Sequence, residues 1–217
     1  PSLYRYKGMR MLLYVDDCCC IYDKKTSEKD YQQFMTDLAK DFKYTGGDDV
    51  DFFLGFRITR DRKKHTVSMH QTASIQKADA PHGLNNAHPV DTPVVAGLQL
   101  GQVLCDPLDF TVDRTKYRER AGSLLWAARG TRPDIAFGVH MLSRAMHAPS
   151  PAHWDASTRM LAYLKTTETQ GLTYQRCQGG DVLVGSVDAD WLPKYGNDMR
   201  NMKSTTGFVF YLGGAAI

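Results

Sequence analysis

The sequence predicts an α+β fold: a β-hairpin, a helix and a second hairpin, then three helices, then the opening of another β unit. Three observations carry that expectation. Two apolar runs, Met11–Val15 and Cys18–Tyr22, are parted only by Asp16 and Asp17, as in strands joined by a two-residue turn. Apolar residues recur at helical spacing from Tyr31 to Phe42 and again between Tyr117 and Leu164. Beyond Gly171 the period reverts to strand-like runs at Val182–Val187 and Thr206–Leu212.

Both runs of the first hairpin are nearly all apolar, which predicts strands covered on both faces. Ser27 is placed as an N-cap, with Asp30 three residues on in the manner of a capping box. Tyr31, Phe34, Met35, Leu38 and Phe42 give that helix one apolar face, and Gly46-Gly47 is its expected stop. Val50–Arg60 reads as a strand turning at Asp61–Lys64 into Thr66–His70, followed by a short helix over Ser74–Ala80. Residues 81–112 carry four prolines and little periodicity, so they read as a connecting loop. Tyr117, Ala121, Leu124, Leu125 and Ala128 then share one helical face. Pro133 suits the first turn of a second helix bearing Ile135, Val139, Leu142 and Met146. A third helix carries Trp154, Leu161 and Leu164.

The 217 residues suffice for one large or two small units, and 42% hydrophobic with 24% charged residues is globular composition. A net charge of +3 permits nucleic-acid binding without arguing for it. No apolar run approaches the roughly 18 residues of a membrane span. Pro1–Arg5 lacks the pattern of a secretory signal. The chain opens without Met and stops after a strand-like run, so both ends read as truncated. Five cysteines without a framework spacing point to free thiols in a reducing compartment, and no Cys stands in a zinc spacing with His. His140, His147 and His153 read as helix-surface or packing residues.

Asp16-Asp17 is the sharpest chemical feature. Two-metal phosphoryl transfer needs carboxylates fixed at a sheet edge, clamping attacking and leaving oxygens between ions roughly 4 Å apart. Mg²⁺ takes a few hard carboxylates and keeps several waters. Asp-Asp by itself is also an ordinary surface turn; the flanking apolar strands favour the catalytic reading. Arg57, Arg60, Arg62, Lys63, Lys64 and His65 form the densest basic cluster. It serves either as a phosphate-contacting surface or as a solvated hairpin tip guarding a strand edge. Tyr44, Phe52, Phe53 and Phe56 have the spacing of a sheet core.

Tyr14-Val15-Asp16-Asp17 resembles the catalytic box of reverse transcriptases, and the rest of the chain resembles the copia-type retrotransposon polyprotein. The markers recur in order: Phe53-Leu54-Gly55, Asp91-Thr92-Pro93, Gly122-Ser123-Leu124, then Thr131-Arg132-Pro133-Asp134-Ile135. His153-Trp154 with Tyr163-Leu164-Lys165 follows, and last come Asp188-Ala189-Asp190-Trp191 and Lys203-Ser204-Thr205-Thr206-Gly207. Each tripeptide is weak; the ordered set is specific.

That resemblance implies an RNA-directed DNA polymerase joined to a ribonuclease H. Residues 1–80 would be the end of the polymerase palm, 81–112 a connecting loop, 113–176 a helical thumb and connection, and 177–217 the start of ribonuclease H. Asp16 and Asp17 would ligate Mg²⁺ at the primer 3′ end, and Tyr14 would shape the floor beneath nucleotide or primer. Arg57, Arg60, Arg62, Lys63 and Lys64 would contact the substrate duplex. Asp188 would be the first ribonuclease H metal ligand, with Asp190 placed beyond the strand's end. Implied partners are an RNA template, a DNA primer, RNA–DNA hybrid, deoxynucleoside triphosphates and the remainder of the polyprotein, with no membrane. The implied location is a cytoplasmic virus-like particle with a nuclear phase, not secretion.

The first palm Asp of the family pattern would lie before Pro1, and the remaining ribonuclease H carboxylates beyond Ile217. Both sites are then half sites, and no polymerase activity is expected of this chain alone. Cys18–Cys20 stand where the family has aliphatics, and the Trp191–Lys203 connection is longer than usual. The alternative is a decayed or captured element acting as a non-catalytic nucleic-acid-binding or interaction module.

Overall fold

In the computed structural model the described residues are 2–47, 49–79, 89–95, 100, 111–177, 180, 182–190 and 205–217. Most of the expected 81–112 loop, the Trp191–Lys203 connection and Cys105 lie outside them. The chain divides into two compact units, residues 1–54 and 55–217.

In the first unit, β1 (Ser2–Tyr6), β2 (Met9–Tyr14) and β3 (Asp17–Ile21) form an antiparallel sheet in that order. A Cβ on Gly8 would collide with Ser27 Oγ, so glycine lets the β1–β2 turn lie close against Ser27. The expected covering of both hairpin faces is not found. Met9 is fully buried, whereas Leu12, Leu13, Cys19 and Cys20 are half-buried and Ile21 is exposed. Apolar sequence marks strands that can be covered; it does not supply the cover.

Helix α1 (Glu28–Asp41) starts after Ser27 as expected, but without the capping box. Ser27 makes no side-chain cap bond, and Asp30 is engaged 3.0 Å from Lys7 Nζ. Tyr31 is the one fully buried residue of its apolar face, stacked on Tyr22 with centroids 4.4 Å apart. The helix ends at Asp41 with Phe42 extended, ahead of Gly46-Gly47. A short strand β4 (Phe52–Phe53) closes this unit.

The expected strand Val50–Arg60 is interrupted, because Leu54 and Gly55 take positive φ of 51° and 86° and turn the chain. β5 (Phe56–Asp61) and β6 (Thr66–His70) then form the second hairpin, followed by α2 (Thr72–Asp79). A strand not read from the sequence, β7 (Leu172–Gln175), returns to pair with β6 over Met69↔Leu172 to Thr66↔Gln175. A Cβ on Gly171 would strike the Met69 carbonyl, so this approach requires glycine.

The core of this unit lies among α3 (Arg114–Gly130), α4 (Ala136–Ser143) and α5 (Pro151–Thr166). Tyr117, Ala121 and Leu124 of α3 meet Val139 and Leu142 of α4 and Met160, Leu161 and Leu164 of α5. Asp113 caps α3, accepting from the Thr115 and Lys116 backbone N–H groups at 2.9 and 3.1 Å. Pro133 opens a short 3₁₀ turn ahead of α4, matching its expected first-turn role. Tyr117 donates its hydroxyl to the Leu142 carbonyl at 2.8 Å, and burial raises its phenol pKa.

In the turn between α3 and α4, Arg132 is buried. Its Nε and Nη2 grip the two Asp134 oxygens at 3.0 and 2.7 Å. Nη1 donates to the Thr167 carbonyl at 2.9 Å and Nη2 to Thr167 Oγ1 at 2.7 Å. Tyr163 adds its hydroxyl to Asp134 at 2.9 Å. This fork ties the Thr131–Asp134 turn to the end of α5.

His153, in the first turn of α5, is buried, and Ser150 donates its backbone N–H to Nδ1 at 3.2 Å. Burial lowers its pKa, partly opposed by a hydrogen bond to the Leu100 backbone. A buried, neutral imidazole makes the unfolded chain bind more protons than the folded one below the unfolded value. Stability is therefore full above roughly pH 6.5 and lost as pH falls towards the lowered native value. Urea midpoints at successive pH values are expected to drop below pH ~6.5, and less steeply in His153→Asn.

A last sheet, in the order β10-β9-β8, contains β8 (Val184–Asp190), β9 (Thr205–Leu212) and β10 (Ala215–Ala216). It is tied to β7 by Gln175 N–H donating to the Gly213 carbonyl at 2.7 Å. Among the described residues no helix is long and apolar enough to cross a membrane.

Candidate functional site

The first hairpin closes one residue earlier than its sequence suggests. Tyr14 pairs with Asp17, leaving Val15 and Asp16 as the loop. Positive φ at the first loop position, 51° at Val15, is the sign pattern of a type II′ turn, where glycine is usual. A β-branched residue there carries strain of about 1–3 kcal/mol. Asp17 consequently begins β3 on the same sheet face as Tyr14, with Asp16 next to it at the tip. Tyr14, Val15, Asp16 and Asp17 are all exposed, Val15 to 80%.

Two adjacent carboxylates fit Mg²⁺ in donor chemistry, since hard oxygens and retained waters are what it takes. They fall short in number: among the described residues no group of three His, Cys, Asp or Glu could hold a metal ion. Asp188 lies on β8 opposite Gly207, exposed, in the second unit. Asp190, expected past the strand end, is still in β8, paired with Thr205. Farther along β3, burial and then the neighbouring Cys18 push the Cys20 thiol up to about 12, which keeps it protonated and unreactive.

The basic residues cluster on the second hairpin but do not share one face. Arg57 lies opposite His70 and Arg60 opposite Val67, and strand alternation turns these two to opposite sides. Arg62, Lys63 and Lys64 sit in the exposed turn, where Asp61 Oδ1 accepts from the Lys63 and Lys64 backbone at 2.9 and 3.0 Å. That Asp bond fixes the turn.

The expected aromatic core of this region is not formed: Tyr44 and Phe52 are exposed, and Phe53 and Phe56 half-buried. Sequence reasoning also missed Trp126, half exposed on α3 with its ring 5.9 Å from that of Phe56. Its only signal was its place off the apolar stripe of α3. Together the two rings offer a stacking surface one residue from Arg57.

Comparison with known proteins gives 33% identity over 216 residues to the retrovirus-related Pol polyprotein from transposon TNT 1-94 of Nicotiana tabacum, covering 95% of this chain and 15% of that one. The corresponding polyprotein from transposon RE2 of Arabidopsis thaliana is 31% identical over 94% of this chain and 13% of its own length. Secreted RxLR effector protein 161 of Plasmopara viticola is 39% identical over 101 residues, 46% of this chain and 68% of the effector. The chain thus spans about one seventh of the first of these polyproteins. No family model and no solved structure matches it.

Proposed function

Since the chain belongs to the copia-type retrotransposon Pol polyproteins, which match it at 30–33% identity over about 94% of its length, we propose that it is the palm-to-thumb section of an RNA-directed DNA polymerase running into a ribonuclease H. The observation that carries this reading is the tip of the first hairpin. Asp17 stands exposed at a paired strand end directly opposite Tyr14, with Asp16 exposed beside it in the loop.

In this reading Asp16 and Asp17 would hold Mg²⁺ together with carboxylates from the rest of the polyprotein, and the ion would supply charge stabilisation for phosphoryl transfer. The side chains of this chain do the placing. The hairpin ladder holds the two carboxylates at a fixed height, and Tyr14 offers its ring beside them to nucleotide or primer. Lys63, Lys64 and Arg62 contact backbone phosphates of the primer–template duplex, and Asp188 serves the ribonuclease H. The substrates are an RNA template, a DNA primer, RNA–DNA hybrid and deoxynucleoside triphosphates. The palm, thumb and ribonuclease H assignments draw support from the order of elements, two hairpins about a helix, three packed helices and a final antiparallel sheet.

The test is a fluorescence-anisotropy titration of the 217-residue chain with a short RNA–DNA hybrid at about 50 and 200 mM salt. Binding that weakens steeply with salt is expected. Lys63→Gln with Lys64→Gln should lower the slope of log affinity against log salt by about 2, one phosphate contact each. Salt-independent binding, or none, would sink the reading.

A second reading is a captured element that binds nucleic acid or protein without catalysis. The match to an effector protein over 46% of this chain favours it, since that relative is not named as a Pol polyprotein. Hybrid binding without primer extension, in a complete polyprotein carrying this segment, would decide for it.

A further inference from the structure

On the β1–β2–β3 sheet the register fixes which side chains share a face. Arg5 lies opposite Arg10 and Leu3 opposite Leu12. Arg10 and Leu12 lie in turn opposite Ile21 and Cys19, and Tyr14 opposite Asp17. These residues occupy one face. The other carries Tyr4, Tyr6, Met9, Met11 and Leu13, of which Met9 is buried while Tyr4 and Tyr6 are about half exposed. Arg5 and Arg10 are exposed on the first of these faces.

Directly opposed side chains have Cβ atoms about 4.5–5.5 Å apart, and like charges in that position are destabilising. An anion bound between two arginines so placed would relieve that repulsion. Among the described residues neither makes a salt bridge. The acid on the same face, Asp17, is level with Tyr14, four residues along β2 from Arg10, or roughly 13 Å at the rise of a strand. That is far beyond ion-pair range.

We propose that Arg5 and Arg10 form a phosphate clamp for a nucleic-acid strand that runs along the sheet face they share with Tyr14 and Asp17 and ends at Asp16 and Asp17. The assignment rests on the polymerase reading above and adds a second anchor to it. Paired guanidinium groups match the oxygens of a phosphodiester by bidentate hydrogen bonding. The roughly 13 Å between clamp and tip corresponds to about four nucleotides at 3.4 Å per nucleotide of one strand. Leu3, Leu12 and Cys19 occupy the face between the clamp and the tip.

The experiment is the hybrid titration across salt concentrations with the double variant Arg5→Gln, Arg10→Gln of the 217-residue chain, alongside its thermal melt. The salt slope is expected to fall by about 2, with an undiminished melting temperature because a like-charge pair has been removed. Arg5→Lys with Arg10→Lys should restore most of the slope. An unchanged slope in a chain whose wild type binds hybrid would overturn the clamp alone. A slope that falls only in step with a lower melting temperature would also overturn it. Absence of wild-type binding would overturn the polymerase reading with it. Competition by deoxyadenosine triphosphate that disappears in the double variant would assign the arginines to a free nucleotide and overturn the strand.

Discussion

Changing Asp16 to asparagine is expected to lower primer extension by about three orders of magnitude, roughly 4 kcal/mol of transition-state stabilisation, when the chain is carried in a complete Pol polyprotein. Asparagine keeps the shape and one oxygen but loses the charge that a divalent cation requires. The same change should leave stability within about 0.5 kcal/mol, because Asp16 is an exposed loop residue. The contrast between a large catalytic loss and an unmoved urea midpoint is the informative result. Extension within a few-fold of wild type would remove Asp16 from the proposed metal site. A collapse of both quantities would make it a folding residue.

The second large effect is structural. Arg132→Met is expected to destabilise the second unit by roughly 3 kcal/mol, read as a shift in the urea midpoint. Methionine fills much the same volume but strands the Thr167 carbonyl and the Asp134 carboxylate that the guanidinium now holds. The figure sits at the low end for a broken buried pair because the Asp134 side chain is 37% exposed and regains water. Arg132→Lys should recover only part of the loss, since an ammonium cannot reproduce the planar fork. Burial alone would raise the Asp134 carboxyl pKa; the hydrogen bonds and charge of Arg132 outweigh it and bring the value below the usual range. Its contribution is therefore present above about pH 3.9 and lost as pH falls through the lowered native value. The acid limb of the stability curve should flatten in Arg132→Met. A midpoint unchanged by that substitution would mean the fork contributes nothing net.

Much of this was legible in the sequence because the signals are local. The helical period of Tyr117, Ala121 and Leu124 located α3, and Pro133 located the turn before α4. Asp16 and Asp17 stood out for the same reason, set between two apolar runs. What escaped depends on residues distant in sequence. β7 is four residues long with only Leu172 and Tyr174 apolar, and it is a strand because β6 is there to receive it. The one-residue shift of the hairpin loop turned on Val15 accepting a left-handed φ, which its composition argues against. Thr131–Asp134 was visible as a marker, yet its role as a clamp on Thr167 became evident only when α5 was in place. The Arg5–Arg10 juxtaposition likewise needed the register of a hairpin whose first strand has no clear alternation.

The pairing of β7 with β6 also sets an order of events in time. Ser68 and Thr173 share a hydrogen bond across 105 positions of chain, and closing a loop of that length costs roughly 4 kcal/mol of chain entropy before any contact repays it. On a ribosome adding about 5–20 residues per second, β6 waits roughly 5–20 s for its outer neighbour to be made. Through that interval its outer edge is open to any other extended chain nearby. The helices between them, whose contacts are local, can form meanwhile and deliver β7 to the edge as the last strand to zip.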